Sequence, residues 1–279
     1  MSGKRPEHQA PPEVFYNEEE ATKYTTNSRM IEIQRQMSER AVELLDLPED
    51  EPCFLLDVGC GSGLSGEFLT DNGHYWVGLD ISASMLNIAH EREVEGDLFL
   101  NDMGQGVSFR PGTFDGCISI SALQWLCNAD KKYHNPVKRI YKFFCTLYSC
   151  LGRGRKAVFQ FYPENPAQVE LLTGQAMRAG FTGGVVVDFP NSSKAKKMFL
   201  CLFAGTVMNK LPAALGTGAS QGNPQAIAYS GRANQHGRNR KSAKKSRDWI
   251  LEKKERRKRQ GRDVKEDSKY TGRKRKTRF

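Results

Sequence analysis

The chain has 279 residues and a formal net charge of +10, with 42 Lys or Arg against 32 Asp or Glu. No apolar run reaches the roughly 18 to 20 residues that span a bilayer, and the amino terminus has no apolar signal core, so neither a membrane-spanning nor a secreted protein is expected. The seven cysteines lie mostly in apolar runs and form no C-x-x-C pair, which is typical of buried thiols in a reducing compartment and predicts no metal site.

The first 47 residues divide into two parts. Residues 1–16 are rich in proline, and we expect them to be flexible. From residue 17 to about 47 apolar residues recur at helical spacing and stop before Pro48, which predicts one or two helices.

The sequence then alternates predicted strands and helices. The strands are predicted at 54–58, 75–80, 97–101, 114–120, 155–161, 184–189 and 197–203. The helices are predicted at 63–71, 83–93, 136–151 and 166–179, the last two beginning with Asn-Pro. Too few residues join the last two strands for a parallel crossover, so they form an antiparallel hairpin. The pattern predicts an α/β fold with a seven-stranded, doubly wound, Rossmann-like sheet that ends in this hairpin.

The first strand and the turn that follows it carry the strongest functional signal. This segment reads L-L-D-V-G-C-G-S-G at 55–63, and the next strand ends in G-L-D-I-S at 78–82. Glycines let the backbone approach a ligand closely, and a carboxylate at Asp80 is placed to chelate a ribose diol. The pair of motifs predicts a nucleoside cofactor; the alternative is an ordinary strand–turn–helix with packing glycines.

The charge of the turn distinguishes between cofactors. Gly61, Gly63 and Gly66 match the dinucleotide pattern G-x-G-x-x-G, which is weak evidence alone. Asp57 lies two residues before Gly59, where its carboxylate would repel a pyrophosphate but attract the cationic amino acid end of S-adenosylmethionine. We therefore predict S-adenosylmethionine as the cofactor, bound in part by Asp57.

The positive charge is concentrated at the carboxyl terminus. Residues 232–279 hold 21 Lys or Arg against 6 Asp or Glu, a net of +15, so the rest of the chain carries −5. Such a block predicts polyanion binding, although a merely solubilising tail is the alternative. We expect a flexible linker over 205–240 and a basic RNA-binding and nuclear-import tail over 241–279. Basic clusters at 253–259 and 273–276 are typical of nuclear-import signals and predict a location in the nucleus, either the nucleolus or the nucleoplasm. A further location in the cytoplasm is the alternative.

Several motifs together resemble the eukaryotic 18S ribosomal RNA guanine-N7 methyltransferase family. They are Y-x-x-x-S-R at 24–29, S-I-S-A-L-Q-W-L at 119–126, R-D-W-I-L at 247–251 and K-Y-T-G-R-K-R-K at 269–276. The resemblance implies a class I S-adenosylmethionine-dependent methyltransferase domain, here over 17–204. It also implies a guanosine in 18S rRNA as the target, a role in 40S subunit assembly, and an obligate small zinc-binding activator protein that forms a heterodimer with the enzyme.

The resemblance also implies residue roles around the cofactor. The implied cofactor contacts, besides Asp57, are Gly59, Cys60, Gly61, Asp80, Ile81, Asp102, Met103 and Ser119. Tyr24 and Arg29 resemble a lid over the cofactor and the target base. Gln124 and Trp125 follow the fourth strand, where an aromatic ring can stack on an extruded base. The alternative for Trp125 is packing beneath the rim of the sheet.

The implied chemistry needs no catalytic acid or base. N7 of guanine carries an in-plane lone pair and no proton, so the enzyme has to align the reactants, which can contribute on the order of 7 to 11 kcal/mol. The [D/N]-P-P-[Y/F] motif of adenine amine methylation is absent at 119–122, and the P-C pair at 52–53 precedes the first strand. Two other interpretations remain: an assembly factor whose binding of pre-ribosomes matters more than methylation, and a small-molecule methyltransferase with an incidental tail.

The third predicted strand is an edge strand in this topology. Its apolar residues would expose unpaired backbone groups that invite a strand from another chain. The resemblance implies that the activator pairs there; the alternative is that the chain's own amino-terminal helices cover this edge.

Overall fold

The computed structural model describes residues 5–48, 51–192, 195–205 and 211–216, together with residues 251 and 254. By backbone contacts the chain divides into two units, residues 1–231 and 232–279, and the strands that the structure describes belong to the first. Within the predicted flexible linker, residues 211–216 instead pack on the rest of the first unit, where the Ala213 carbonyl accepts from Arg40 and the Leu215 N–H donates to Asp188, both at 2.8 Å. The rest of the linker after residue 205, and the basic tail apart from residues 251 and 254, lie outside the described residues and remain predictions.

The described strands form one seven-stranded sheet. Their bounds are β1 Phe54–Val58, β2 Tyr75–Asp80, β3 Asp97–Leu100, β4 Phe114–Ile120, β5 Leu151–Phe161, β6 Phe181–Asp188 and β7 Lys197–Ala204. The spatial order is β3-β2-β1-β4-β5-β7-β6, with β1 to β5 parallel and β7 antiparallel to both neighbours. The predicted doubly wound sheet and its final hairpin are confirmed, and so is the position of β3 at an edge.

Seven α-helices surround the sheet in the described part of the chain. They are α1 Pro12–Phe15, α2 Glu18–Thr26, α3 Ser28–Leu45, α4 Leu64–Asp71, α5 Ala83–Glu91, α6 Pro136–Cys150 and α7 Pro166–Arg178. The two Asn-Pro starts are confirmed, because the side chain of Asn135 accepts from the Lys138 N–H at 3.1 Å and that of Asn165 from the Gln168 N–H at 3.0 Å.

The two faces of the sheet carry separate cores. Phe143, Phe144 and Leu172, from α6 and α7, pack on one face. Met37 and Leu69, from α3 and α4, pack on the other. None of the described helices is both long and apolar enough to cross a membrane.

Two strands begin earlier than the sequence predicts. β5 begins at Leu151 because α6 ends at Cys150 and the chain enters the strand without a loop. β6 begins at Phe181, three residues before the predicted start at 184, and includes Gly183. A Cβ on Gly183 would lie 2.1 Å from the Cys201 carbonyl oxygen, so the glycine permits close approach within the ladder instead of ending it.

The amino-terminal segment is more ordered than expected for residues 1–16. Within it, a 3₁₀ turn over Pro6–His8 and helix α1 both begin with proline, whose fixed φ suits the first helical position. The Arg5 guanidinium donates to the Tyr162 carbonyl at 3.0 Å, and the Ser82 hydroxyl donates to the Tyr16 carbonyl at 2.8 Å. These contacts fasten residues 5–16 to the carboxyl rim of the sheet.

Candidate functional site

The turn after β1 is built from glycines in a conformation that other residues avoid. Gly59, Gly61 and Gly63 have φ values of 75°, 54° and 80°. A Cβ on Gly59 would lie 2.3 Å from the Cβ of Ala122, so a side chain there is also excluded by contact. The backbone therefore closes tightly against the loop after β4, and the Gly59 and Cys60 N–H groups donate to the Leu79 carbonyl at the end of β2, at 2.7 and 3.1 Å.

Asp80 connects this turn to the next helix. Its carboxylate accepts from the Gly61 N–H at 2.9 Å and from the Ser82 N–H at 2.8 Å. Burial raises the pKa of Asp80, while the backbone hydrogen bonds act to lower it. These bonds hold the carboxylate in one orientation at the end of β2, where the sequence predicts contact with a ribose.

Asp57 is fully buried beneath the turn. Its Oδ2 accepts from the Ser65 hydroxyl at 2.5 Å, whereas its Oδ1 has no hydrogen-bond partner among the described residues. Burial raises the pKa of Asp57 to about 7, and the nearby Asp80 carboxylate adds to the effect. An unpaired buried carboxylate oxygen is costly and marks a place for a hydrogen-bond donor or a cation.

A cavity opens at the carboxyl ends of β1, β2 and β4. Nine of the thirteen predicted site residues line it: Tyr24, Gly59, Cys60, Gly61, Asp80, Ile81, Asp102, Met103 and Trp125. Its volume is about 100 Å³, which is small for a nucleoside ligand, so the side chains of its wall must move apart when such a ligand enters.

The other four predicted residues do not line the cavity. Asp57 lies below the turn, as described. The buried Ser119 hydroxyl donates to the Val58 carbonyl at 2.6 Å, a contact between neighbouring strands. Gln124, also buried, donates to the Ser121 carbonyl at 2.8 Å. Arg29 is exposed at the start of α3. The structure therefore gives Ser119 and Gln124 packing contacts and leaves Arg29 accessible to a ligand outside the cavity.

Aromatic side chains form the opposite wall, which we call the lid side. The Trp125 ring lies 6.0 Å from the ring of Tyr16 and 6.1 Å from that of Phe15, and Tyr16 contacts Tyr24 at 5.9 Å. Burial raises the pKa of Tyr16 and Tyr24 above the usual range. Trp125 is only 6% exposed and packs under the amino-terminal segment while one part of it lines the cavity, which is the packing alternative; stacking on a base stays a prediction.

An arginine holds Asp102 at the cavity wall. Arg139 Nη2 donates to Asp102 Oδ1 at 2.7 Å, and the same oxygen accepts from the Gly104 N–H at 2.9 Å. Arg139 also contacts His134, and its buried Nε has no partner among the described residues. Asp102 is therefore oriented by a residue from α6 that no sequence motif marks.

Other cavity residues were also missed from the sequence. Besides Arg139 they include Tyr16, Met85, Asn101, Ser121 and Asp130. Ser121 has a φ of 59° and a hydroxyl that donates to Gln160 at 2.7 Å. A positive φ outside glycine is uncommon and clusters at functional sites. The one available signal was its place after β4, where other methyltransferases carry their target-specific motif.

Two family models match the chain. One, described as a methyltransferase domain, matches residues 56–143, and the other, described as a methyltransferase involved in Williams-Beuren syndrome, matches residues 202–277. An 18S rRNA (guanine-N(7))-methyltransferase from Mus musculus is 60% identical over 277 residues, covering 99% of this chain and 98% of the relative. The chain belongs to this 18S rRNA (guanine-N(7))-methyltransferase family. A member from Saccharomyces cerevisiae, named for a guanine at position 1575, is 50% identical over 99% of each chain.

Solved structures share the fold at low identity. A phosphoethanolamine N-methyltransferase from Haemonchus contortus is 15% identical, with a TM-score of 0.53 over 74% of this chain and 61% of that chain. A magnesium protoporphyrin IX methyltransferase from Synechocystis is 16% identical, with a TM-score of 0.51 over 74% of this chain and all of that chain. Both support the class I methyltransferase fold.

The cofactor prediction is confirmed by the methyltransferase-domain match, which includes the glycine turn and Asp80. The residues around the first cavity of this chain also fit S-adenosyl-L-methionine. The unpaired Oδ1 of Asp57 suits a cationic group, and the glycine turn leaves no side chain between backbone and ligand.

Proposed function

We propose that this chain transfers a methyl group from S-adenosyl-L-methionine to N7 of a guanosine in 18S rRNA during assembly of the 40S subunit. The supporting observation is similarity over 99% of the chain to relatives that carry this activity in their names. The cavity at the carboxyl rim of the sheet is where an enzyme of this fold class binds its ligands.

The cofactor side of the cavity, meaning the glycine turn with Asp57 and Asp80, holds the methyl donor. S-adenosyl-L-methionine, when bound, supplies an electrophilic methyl group on a sulfonium. The oriented Asp80 carboxylate accepts from the ribose hydroxyls, and the buried Asp57 carboxylate attracts the ammonium. Ile81 provides apolar wall for the adenine, and Asp102 with Met103 contacts its edge.

The lid side receives the target base. The rings of Tyr24 and Trp125 offer faces on which a flipped guanine can stack, a contact that contributes roughly 1 to 3 kcal/mol per base. Arg29 follows Tyr24 closely in the sequence, and its exposed side chain is available to bind a phosphate of the RNA. Because N7 carries no proton, these residues bind and orient the base and none of them needs to remove a proton.

The cysteines do not support a covalent mechanism. Burial raises the pKa of the Cys60 thiol, which lines the cavity, and of the Cys117 thiol well above the usual value. A thiol that stays protonated is a poor nucleophile. Direct attack by the base nitrogen is therefore favoured over attack by the protein.

The edge of β3 supports the predicted activator. Phe99 and Leu100 are 47% and 64% exposed, an unusual state for large apolar side chains in a strand. Their backbone pairs with β2 on one side only, so the other side can accept a strand from the small zinc-binding partner. β3 leads directly into Asp102, so pairing there would steady the adenine-edge turn.

The basic tail supports action on RNA in the nucleus. Its net charge of +15 suits phosphate contacts that do not depend on base sequence. Its two basic clusters, at 253–259 and 273–276, suit nuclear import. Deletion of 232–279 is expected to leave cofactor binding intact and to weaken RNA binding.

An Asp80→Lys chain separates this function from that of a binding-only assembly factor. If methylation is the essential activity, cells with only this variant lose both N7-methylguanosine in 18S rRNA and normal 40S maturation. If binding of pre-ribosomes matters more, the modification is lost while maturation continues.

A further inference from the structure

A second cavity lies on the same rim of the sheet. It measures about 600 Å³ and opens between the start of α7, the end of β5 and the β6–β7 hairpin. Phe161 at the end of β5 pairs with Met198 near the start of β7. This register places Lys196 and Lys197 beside Tyr162, and all three line the cavity.

In the part of the chain that the structure describes, the two lysines of this cavity have no carboxylate partner. Lys197 Nζ donates to the Tyr162 hydroxyl at 2.7 Å and lies 5.1 Å from the centre of the Tyr162 ring. Within the described residues, neither Lys196 nor Lys197 has a carboxylate oxygen within 4.0 Å of its amino group. Glu164 and Glu170 also line the cavity, but Glu164 faces His8 at 3.3 Å.

The second cavity adjoins the first through shared side chains. The Tyr162 N–H reaches Gln124 Oε1 at 3.5 Å, and Gln124 precedes Trp125 of the first cavity. The Gln124 side chain in turn donates to the Ser121 carbonyl at 2.8 Å, and Ser121 lines the first cavity. Only a thin layer of side chains therefore separates the two cavities at the rim.

We propose that the second cavity binds a nucleotide of the substrate RNA that flanks the target guanosine. Its phosphate is held by Lys196 and Lys197, and its base packs on the wall formed by Tyr162, Val169 and Met198. Aromatic and apolar surface next to unpaired cations is the combination that binds single-stranded nucleic acid. This inference rests on the proposed function, because the neighbouring nucleotide is present only if the first cavity holds an RNA base.

The test compares the full-length Lys196→Met/Lys197→Met chain with wild type. Each protein is titrated with a short single-stranded RNA that has one central guanosine, and fluorescence anisotropy gives the affinity at several salt concentrations. Two lost phosphate contacts lower the slope of log affinity against log salt by about 1.4, at about 0.7 per contact for a single strand. Cofactor affinity is measured on the same samples and stays unchanged.

The matched control removes two positive charges from surface positions outside the second cavity. Lys142→Met/Arg153→Met changes one exposed cation on α6 and one at the opposite end of β5. We expect this control to keep the wild-type slope. A wild-type slope in the Lys196/Lys197 variant, or an equal decrease of the slope in the control, overturns the flanking-nucleotide site. The first of these results would instead favour a protein partner as the ligand of the cavity.

Failure of the inference differs from failure of the proposed function. Wild-type protein that methylates N7 of guanosine in 18S rRNA, while the lysine variant binds RNA with the wild-type slope, contradicts the inference alone. Wild-type protein that produces no such methylation contradicts the proposed function.

Discussion

The two sides of the first cavity are built differently. The cofactor side is made by backbone and short contacts, such as the Gly59 turn and the two N–H groups that Asp80 accepts from. The lid side is made by aromatic side chains from distant parts of the chain, as where Tyr16 meets Trp125. Backbone hydrogen bonds therefore hold the cofactor side in place, whereas the lid side is held by side-chain packing, which is where the cavity wall can move apart when a ligand enters.

The largest expected effect is on the cofactor side. Asp80→Lys replaces the acceptor for two ribose hydroxyls with a cation, and loss of hydrogen bonds to a charged group costs roughly 1.5 to 3 kcal/mol each. We expect cofactor affinity, measured by calorimetry, to fall at least about 100-fold. Asp71→Lys makes the same charge change on an exposed residue and is expected to bind normally. A folded Asp80→Lys chain with wild-type affinity would remove Asp80 from the site.

The edge strand next to the cofactor side gives the second effect. Phe99→Asp places a charge in the proposed pairing surface, where a central contact contributes about 2 kcal/mol or more. We expect the co-purified activator and the soluble yield both to fall about tenfold or more. Tyr133→Asp alters an aromatic residue that is 75% exposed elsewhere and serves as the control. A Phe99→Asp chain that still carries its partner would show that the edge is not the interface.

A substitution on the lid side should separate the two halves of the cavity. Trp125→Leu keeps an apolar side chain but removes the stacking face, so RNA methylation should lose roughly 1 to 3 kcal/mol in kcat/KM. Cofactor affinity should change much less, because the glycine turn and Asp80 are untouched. Equal losses in both measurements would mean that the two sides act as one packed unit.

The smallest effect is a pH dependence from Asp57. Its pKa of about 7 lies above that of an unfolded aspartate, so the folded protein without ligand binds a proton and this group's contribution to stability decreases as pH rises from about 4 to 7. A cationic ligand prefers the deprotonated form, so cofactor affinity should rise from pH 6 to pH 8, by at most about tenfold per unit. Asp57→Asn should flatten this rise; a rise that persists unchanged would exclude Asp57 as its source.

Local signals in the sequence bring most of the predicted cofactor residues to one cavity, although their contact with the cofactor stays a prediction. The glycine turn, Asp57 and Asp80 lie within a few residues of strand ends, and the order of parallel strands follows from the alternation of elements. The sequence predicted less of the lid side. Nothing local marks the contact of Tyr16 with Trp125 or the role of Arg139, because these pairs form only after the chain has folded.

Ser119 and the segment 5–16 illustrate the same limit. The family resemblance implied a cofactor role for Ser119 near the end of β4, but its hydroxyl donates to the carbonyl of Val58 on the neighbouring strand. Proline content suggested flexibility for residues 1–16, but within the described residues 5–16 prolines begin the short helices and the partly buried Phe15 and Tyr16 pack on Trp125. Composition describes a segment's intrinsic tendency, and tertiary packing decides whether that tendency survives.

The most direct measurement of the central claim is a map of N7-methylguanosine in 18S rRNA. It compares cells that contain this chain, cells that lack it, and cells that contain only the Asp80→Lys variant. We expect one guanosine to be methylated in the first case and unmethylated in the other two. Methylation that persists without the chain, or that the Asp80→Lys variant restores in full, would contradict the account.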